Sequence, residues 1–169
     1  MILQALEGLA FIHDLGIAHR DAVKNNFVVQ YYPESLRMRT VSLHTPRVYL
    51  IDFETAIQFP EGCPVDERVC TGFPLGGSVA DVHTYGRPVI PEMRTGEPYN
   101  PFKLDVWQLG NSFIDFDSTL PPVKEIVDSM AHMDPEMRLT ADEALSRLRA
   151  YVESVPPKSL LIPATKLSI

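Results

Sequence analysis

Asp21 and Asn26 lie five positions apart in the polar run Ile17-Ala18-His19-Arg20-Asp21-Ala22-Val23-Lys24-Asn25-Asn26, and Asp52 follows a stretch rich in β-branched and aromatic residues. These residue types suit phosphoryl transfer. One carboxylate, Asp21, can meet an attacking hydroxyl and take its proton. Asn26 and Asp52 offer the hard oxygen ligands that cations carried on phosphates prefer, and Lys24 adds a positive charge. None of these residues is specific alone, since a single loop Asp commonly caps its own turn. Their order and offsets carry the signal.

Such groups need rigid elements on both sides. Residues 2–15 carry apolar side chains at helical spacing (Ile2, Leu3, Leu6, Leu9, Ala10, Ile12), and Gly16 is placed to end that helix in a left-handed cap. A short strand is expected over 27–30. A second, over 47–53, delivers Asp52 at its end. The residues between them, 31–46, read as a loop or decorated hairpin. Residues 54–90 are rich in proline and glycine without sustained periodicity; a segment of that length in a compact domain is functional or disordered. Helical spacing returns over 103–116, and again from Pro121-Pro122 to about Met133. Thr140-Ala141-Asp142-Glu143 reads as a capping box opening a last helix that Pro156 and Pro157 stop.

His19-Arg20-Asp21 with Asn26, then Asp52-Phe53, Pro91-Glu92 and Asp134-Pro135 with Arg138, resemble in order and offset the C-terminal lobe of a eukaryotic protein kinase. The resemblance covers residues 1 to about 152, leaving 153–169 as a tail. It implies a mainly α-helical fold with a small β-hairpin, half of an α+β kinase fold. The catalytic loop would be 17–26, the metal-binding strand end 47–54 and the activation segment 52–92. It further implies that Asp21 is the catalytic carboxylate, that Lys24 faces phosphate, and that Asn26 and Asp52 hold Mg2+ and ATP. His19 would be a packing residue, and Arg20 a receiver for a phosphorylated activation segment through Thr71, Ser78, Thr84 or Tyr85. Asp105 would anchor the catalytic loop, and Glu92 would pair with Arg138. The expected activity is transfer of phosphate from ATP-Mg to protein Ser/Thr. The alternative is a pseudokinase lobe that binds protein without catalysis; a small-molecule phosphotransferase is a weaker third reading.

Departures from the pattern matter equally. Val23 stands where such enzymes carry lysine, with Lys24 one position late. Glu54 replaces the glycine after Phe53, which adds a negative charge near the phosphate path and is expected to stiffen the backbone. No Gly-Thr pair precedes Pro91. The chain itself carries no glycine-rich loop or Val-Ala-Ile-Lys strand, so taken alone it is expected to be inactive and to expose apolar surface that a missing N-terminal lobe or partner chain would cover.

The composition bounds the alternatives. At 169 residues and 45% hydrophobic, one domain with one core is expected. Fifteen basic against 22 acidic residues give a net charge of -7, with no basic cluster for nucleic acid. No apolar run is long enough to cross a bilayer. Cys63 and Cys70 alone do not make a zinc site, and read as free thiols of an intracellular protein, cytoplasmic or nuclear.

Overall fold

The computed structural model describes residues 1–30, 46–114 and 120–160. Its order is α1 (Ile2–Asp14), β1 (Ile17–Ala18), β2 (Phe27–Val29), β3 (Val48–Leu50), β4 (Ile57–Gln58), α2 (Pro101–Asn111), α3 (Pro121–Met130) and α4 (Ala141–Ser154). Four helices therefore dominate the described residues, beside two antiparallel two-stranded sheets, β1 with β4 and β2 with β3. The expected loop or hairpin over 31–45, the far end of the 103–116 helix and the tail beyond 160 lie outside the described residues.

The apolar stripe of α1 packs against α4, and α3 packs against both α2 and α4. Leu6, Leu9, Val106, Leu109, Met130, Ala144 and Leu148 meet in this core. A second cluster forms on the other side of α2, where Leu104 and Trp107 meet Cys70, Tyr85, Ile90, Met93 and Tyr99. The helix α2 is thus buried nearly all round, as an apolar sequence on several faces requires. Gly110 lets it approach α3: a Cβ there would lie 2.7 Å from the Met130 Cβ.

Boundaries differ from the sequence expectation for local reasons. α1 ends at Asp14, and Gly16 takes φ +70 with its N–H bonded to the His13 carbonyl. α2 begins at Pro101 rather than Lys103, because the Asn100 side chain accepts the N–H groups of Phe102 and Lys103 and proline suits the first helical position. α3 stops at Met130, three residues short of the expected end. The second strand is also shorter. Pairing ends at Leu50, and Asp52 sits beyond it with φ +67, a left-handed conformation rare outside glycine. β1–β4 has no counterpart in the sequence expectation, because two residues per strand leave no periodicity to read.

Candidate active site

The loop 17–26 is held from below by one face of α2. Asp105, Gln108 and Ser112 stand at helical spacing on that face. The Asp105 carboxylate accepts the backbone N–H groups of His19 at 2.7 Å and Arg20 at 2.6 Å, with His13 Nε2 2.9 Å away. Gln108 Oε1 accepts the Ala22 N–H at 2.9 Å, while its Nε2 donates to the Arg20 carbonyl at 3.0 Å and the Tyr85 hydroxyl at 3.1 Å. Ser112 Oγ accepts the Lys24 N–H at 3.0 Å. The loop backbone thus finds in α2 side chains the partners a strand would otherwise supply. Sequence reasoning singled out only Asp105. The i, i+3, i+7 spacing of Asp105, Gln108 and Ser112, along a helix and its C-terminal cap residue, is the signal that would have found Gln108 and Ser112.

His19 is fully buried and joins the loop to the strand end. One tautomer satisfies both ring nitrogens: Nε2 donates to the Ile51 carbonyl at 3.0 Å, and Nδ1 accepts the Asp21 N–H at 3.3 Å. The ring also meets the edge of Phe53, with centroids 4.7 Å apart. Thr55 Oγ1 donates to the His19 carbonyl at 3.0 Å. The Ile51 N–H in turn donates to the Asn26 carbonyl at 2.9 Å. These bonds bring Asp52 beside the loop.

Asp21 and Asn26 are both buried and directly joined. Asn26 Nδ2 donates to the Asp21 Oδ2 and to the Asp21 backbone carbonyl, each at 2.8 Å. The amide nitrogen is thereby fixed, which leaves the Asn26 Oδ1 as its remaining acceptor. Arg87 also holds Asp21: its Nε donates to Oδ1 and its Nη2 to Oδ2, both at 2.8 Å. Nothing in the local sequence of residue 87 announces that contact. Arg87 has its pKa raised, chiefly by the hydrogen bond to Asp21, and Asp52 adds to the same field. Lys24, by contrast, is exposed. Val23, Lys24, Arg87, Gln108 and Asn111 line one cavity of about 250 Å3.

A divalent cation finds a partial set of donors here. Asp52 is exposed and, among the described residues, makes no hydrogen bond through its carboxylate; Asn26 Oδ1 is likewise uncommitted. No group of three His, Cys, Asp or Glu side chains converges to hold a metal among the described residues. Asn26 and Asp52 therefore fit magnesium only where phosphate oxygens and water complete the shell, which is the usual state of that ion. They would hold it, and it would supply neutralisation of phosphate charge.

Glu54 is engaged by Ser78, and its carboxylate still feels the charge of Asp21. Its carboxylate accepts the Ser78 N–H at 2.9 Å and the Ser78 hydroxyl, and these bonds lower its pKa. Close contact is possible because residue 77 is glycine with φ +52: a Cβ there would lie 2.1 Å from Glu54 Oε2. Residue 54 itself has no left-handed backbone. The strained positions are Arg20 and Asp52, with φ +66 and +67.

The remaining sequence candidates are placed as follows. Arg20 Nη2 donates to the Leu75 carbonyl at 3.2 Å, Nη1 lies 3.9 Å from the Cys70 sulfur, and the buried Nε has no partner. Thr71 is exposed, Ser78 is held by Glu54, and Thr84 Oγ1 donates to the Asp81 carbonyl. Tyr85 is buried, which pushes its phenol up to about 12. The fully buried Arg138 donates to Glu92 at 2.9 Å, and its other bonds go to the carbonyls of Lys103, His132 and Met133. Both cysteines are free. Among the described residues, no helix is long and apolar enough to cross a membrane.

No protein-family model matches the chain. Curated proteins do. It is 31% identical over 107 residues to the serine/threonine-protein kinase ppk8 of Schizosaccharomyces pombe, covering 63% of this chain and 17% of that protein. It is 26% identical over 162 residues to human mitochondrial serine/threonine-protein kinase PINK1, covering 93% and 24%. With a calcium/calmodulin-dependent protein kinase type II of Caenorhabditis elegans it shares 24% over 168 residues, covering 85% and 21%. The chain thus spans less than a quarter of each relative's length. All three relatives carry the name of protein kinase, and the chain has a kinase-like relationship to them.

Proposed function

We propose that residues 1–152 form the C-terminal lobe of a protein kinase, with 52–92 as its activation segment and 153–169 as a tail. The reaction is transfer of phosphate from ATP-Mg to Ser or Thr of a protein. Asp21 accepts the hydroxyl proton and orients the oxygen; Asn26 and Asp52 hold magnesium. One observation carries the reading: Asn26 grips Asp21 through its side chain and the Ile51 N–H through its backbone, which ties the strand end that carries Asp52 to the loop that carries Asp21. Arg20 is suited to receive a phosphate on the segment at Thr71, next to the Cys70 it already touches.

The test is magnesium-dependent ATP binding and phosphotransfer by the full-length protein, beside Asp21→Asn and Asp52→Asn. Asp21→Asn should abolish transfer and keep nucleotide, whereas Asp52→Asn should weaken magnesium-ATP. Equal activity in all three would overturn the assignment.

A second reading, a non-catalytic protein-binding lobe, is favoured by the apolar side chains around the β2–β3 pair. Val28, Tyr49, Ile51 and Phe53 are between 40% and 47% exposed. Apolar surface gathered in that way marks an interaction site. Binding of a partner that survives Asp21→Asn, in a protein without phosphotransfer, would favour it.

A further inference from the structure

Among the described residues, Arg87 is the one cation fixed on the Asp21 carboxylate, and its anchoring is close on both sides. Two residues before it, Tyr85 is buried with its hydroxyl on Gln108; three residues after it, Ile90 is fully buried. Pro88 restricts the backbone between them. The guanidinium is therefore held in place, and its side chain remains one-third exposed. Nε and Nη2 are engaged with Asp21, whereas Nη1 makes no hydrogen bond to the described residues. Three further observations bear on what that nitrogen is for. The guanidinium sits on the Asp21 carboxylate, and the negative charge of Asp52 also acts on it. Val23 lines the same cavity as Arg87. Lys24 lines it too, but from a loop position whose backbone is tied down on Ser112.

We propose that Arg87 supplies the phosphate-facing cation of this site, holding Asp21 with Nε and Nη2 while Nη1 meets the terminal phosphate of a nucleoside triphosphate, in place of a lysine at position 23. The proposal rests on the phosphoryl-transfer reading. The substrate hydroxyl oxygen bonds to the terminal phosphorus as the bond from that phosphorus to the bridging oxygen breaks; the diphosphate leaves with the bond's electrons, and the hydroxyl proton passes to Asp21. Oδ1 accepts one hydrogen bond, from Arg87, and so keeps a lone pair for that hydroxyl. A loose transition state asks little of a base and much of charge neutralisation, so the pairing suits the reaction.

The test compares magnesium-ATP with magnesium-ADP binding by calorimetry, in the full-length protein and in Arg87→Ala, Arg87→Gln and the double variant Val23→Lys/Arg87→Ala. Folding of each variant is checked by melting. A contact to the terminal phosphate predicts that Arg87→Ala and Arg87→Gln weaken ATP roughly tenfold and leave ADP unchanged, the size of one charge-assisted hydrogen bond. Phosphotransfer should fall roughly a hundredfold, and the double variant should regain part of both, because residue 23 opens on the same cavity. An unchanged ATP-to-ADP ratio, or a faster rate in Arg87→Ala, overturns the proposal and leaves the phosphoryl-transfer reading standing. A folded parent protein that binds neither nucleotide overturns that reading, and Arg87's role with it.

Discussion

Asp105 holds Arg20 in a left-handed conformation. Its Oδ1 accepts the Arg20 N–H at 2.6 Å, and Arg20 has φ +66, one of two such non-glycine residues among those described. A β-carbon at that φ is unfavourable by about 1 kcal/mol or more. The buried carboxylate offsets the strain by pairing two backbone N–H groups that would otherwise be orphaned. A helix two-thirds of the way along the chain therefore decides the backbone of the loop near its start.

Asp105→Ala should cost about 3–5 kcal/mol, because it strands buried donors in a fully packed site. Asp105→Asn should cost less, about 1–3 kcal/mol, since one acceptor oxygen survives. Urea unfolding of the two variants measures the difference. Equal losses would show that the packing of residue 105, not its hydrogen bonds, holds the loop.

The Glu92–Arg138 pair should behave as a unit. Arg138 is buried with every donor group engaged, so Glu92→Ala leaves a buried cation short of the one carboxylate that pairs with it among the described residues. Each single alanine substitution should cost about 3–5 kcal/mol, and the double variant should fall short of the sum by about 1–3 kcal/mol. Strict additivity in a double-mutant cycle would refute the coupling.

Glu54 and Ser78 predict an acid-sensitive segment. The Ser78 bonds depress the Glu54 pKa, so their contribution is present above the ordinary glutamate value, about 4.3, and is lost as pH falls through the depressed value. Proteolysis between residues 68 and 90 should therefore quicken at low pH. Glu54→Gln should quicken it at neutral pH and flatten the dependence. Gly77→Ala should do the same at every pH, since its Cβ meets the carboxylate. A parent protein with no pH dependence of cleavage would refute the lock.

Tyr85 predicts an alkaline limit. Burial raises its phenol to about 12, so the folded state keeps a proton that the unfolded chain releases near pH 10. Stability is then full below about pH 10 and falls as pH rises through the folded value, by roughly 3 kcal/mol in all. Burial also raises Tyr99. Tyr85→Phe should lose the Gln108 bond at neutral pH and flatten part of the alkaline slope. Denaturation between pH 9 and 12 checks both; a slope unchanged by Tyr85→Phe would assign it elsewhere.

Local rules in the sequence determined much of this molecule. Helical spacing marks the first helix, Gly16 its end, and Thr140 with Glu143 the reciprocal cap of the last, with bonds of 2.8 and 3.1 Å. The offset of Asp21 and Asn26 suffices for them to meet, because five residues of loop bring one side chain onto the other. What the sequence did not determine are contacts whose two ends are far apart along the chain and carry no local mark. Gln108 reaches Ala22 across 86 positions, and Arg87 reaches Asp21 across 66. Neither arginine nor glutamine announces its partner, since each suits a solvated surface equally well. Glu54 shows the same limit from the other side. Its charge is plain in the sequence, and its proximity to Asp52 suggested repulsion of phosphate. Only the fold brings Gly77 and Ser78 to it, and the Ser78 bonds give the carboxylate partners that no local rule announces.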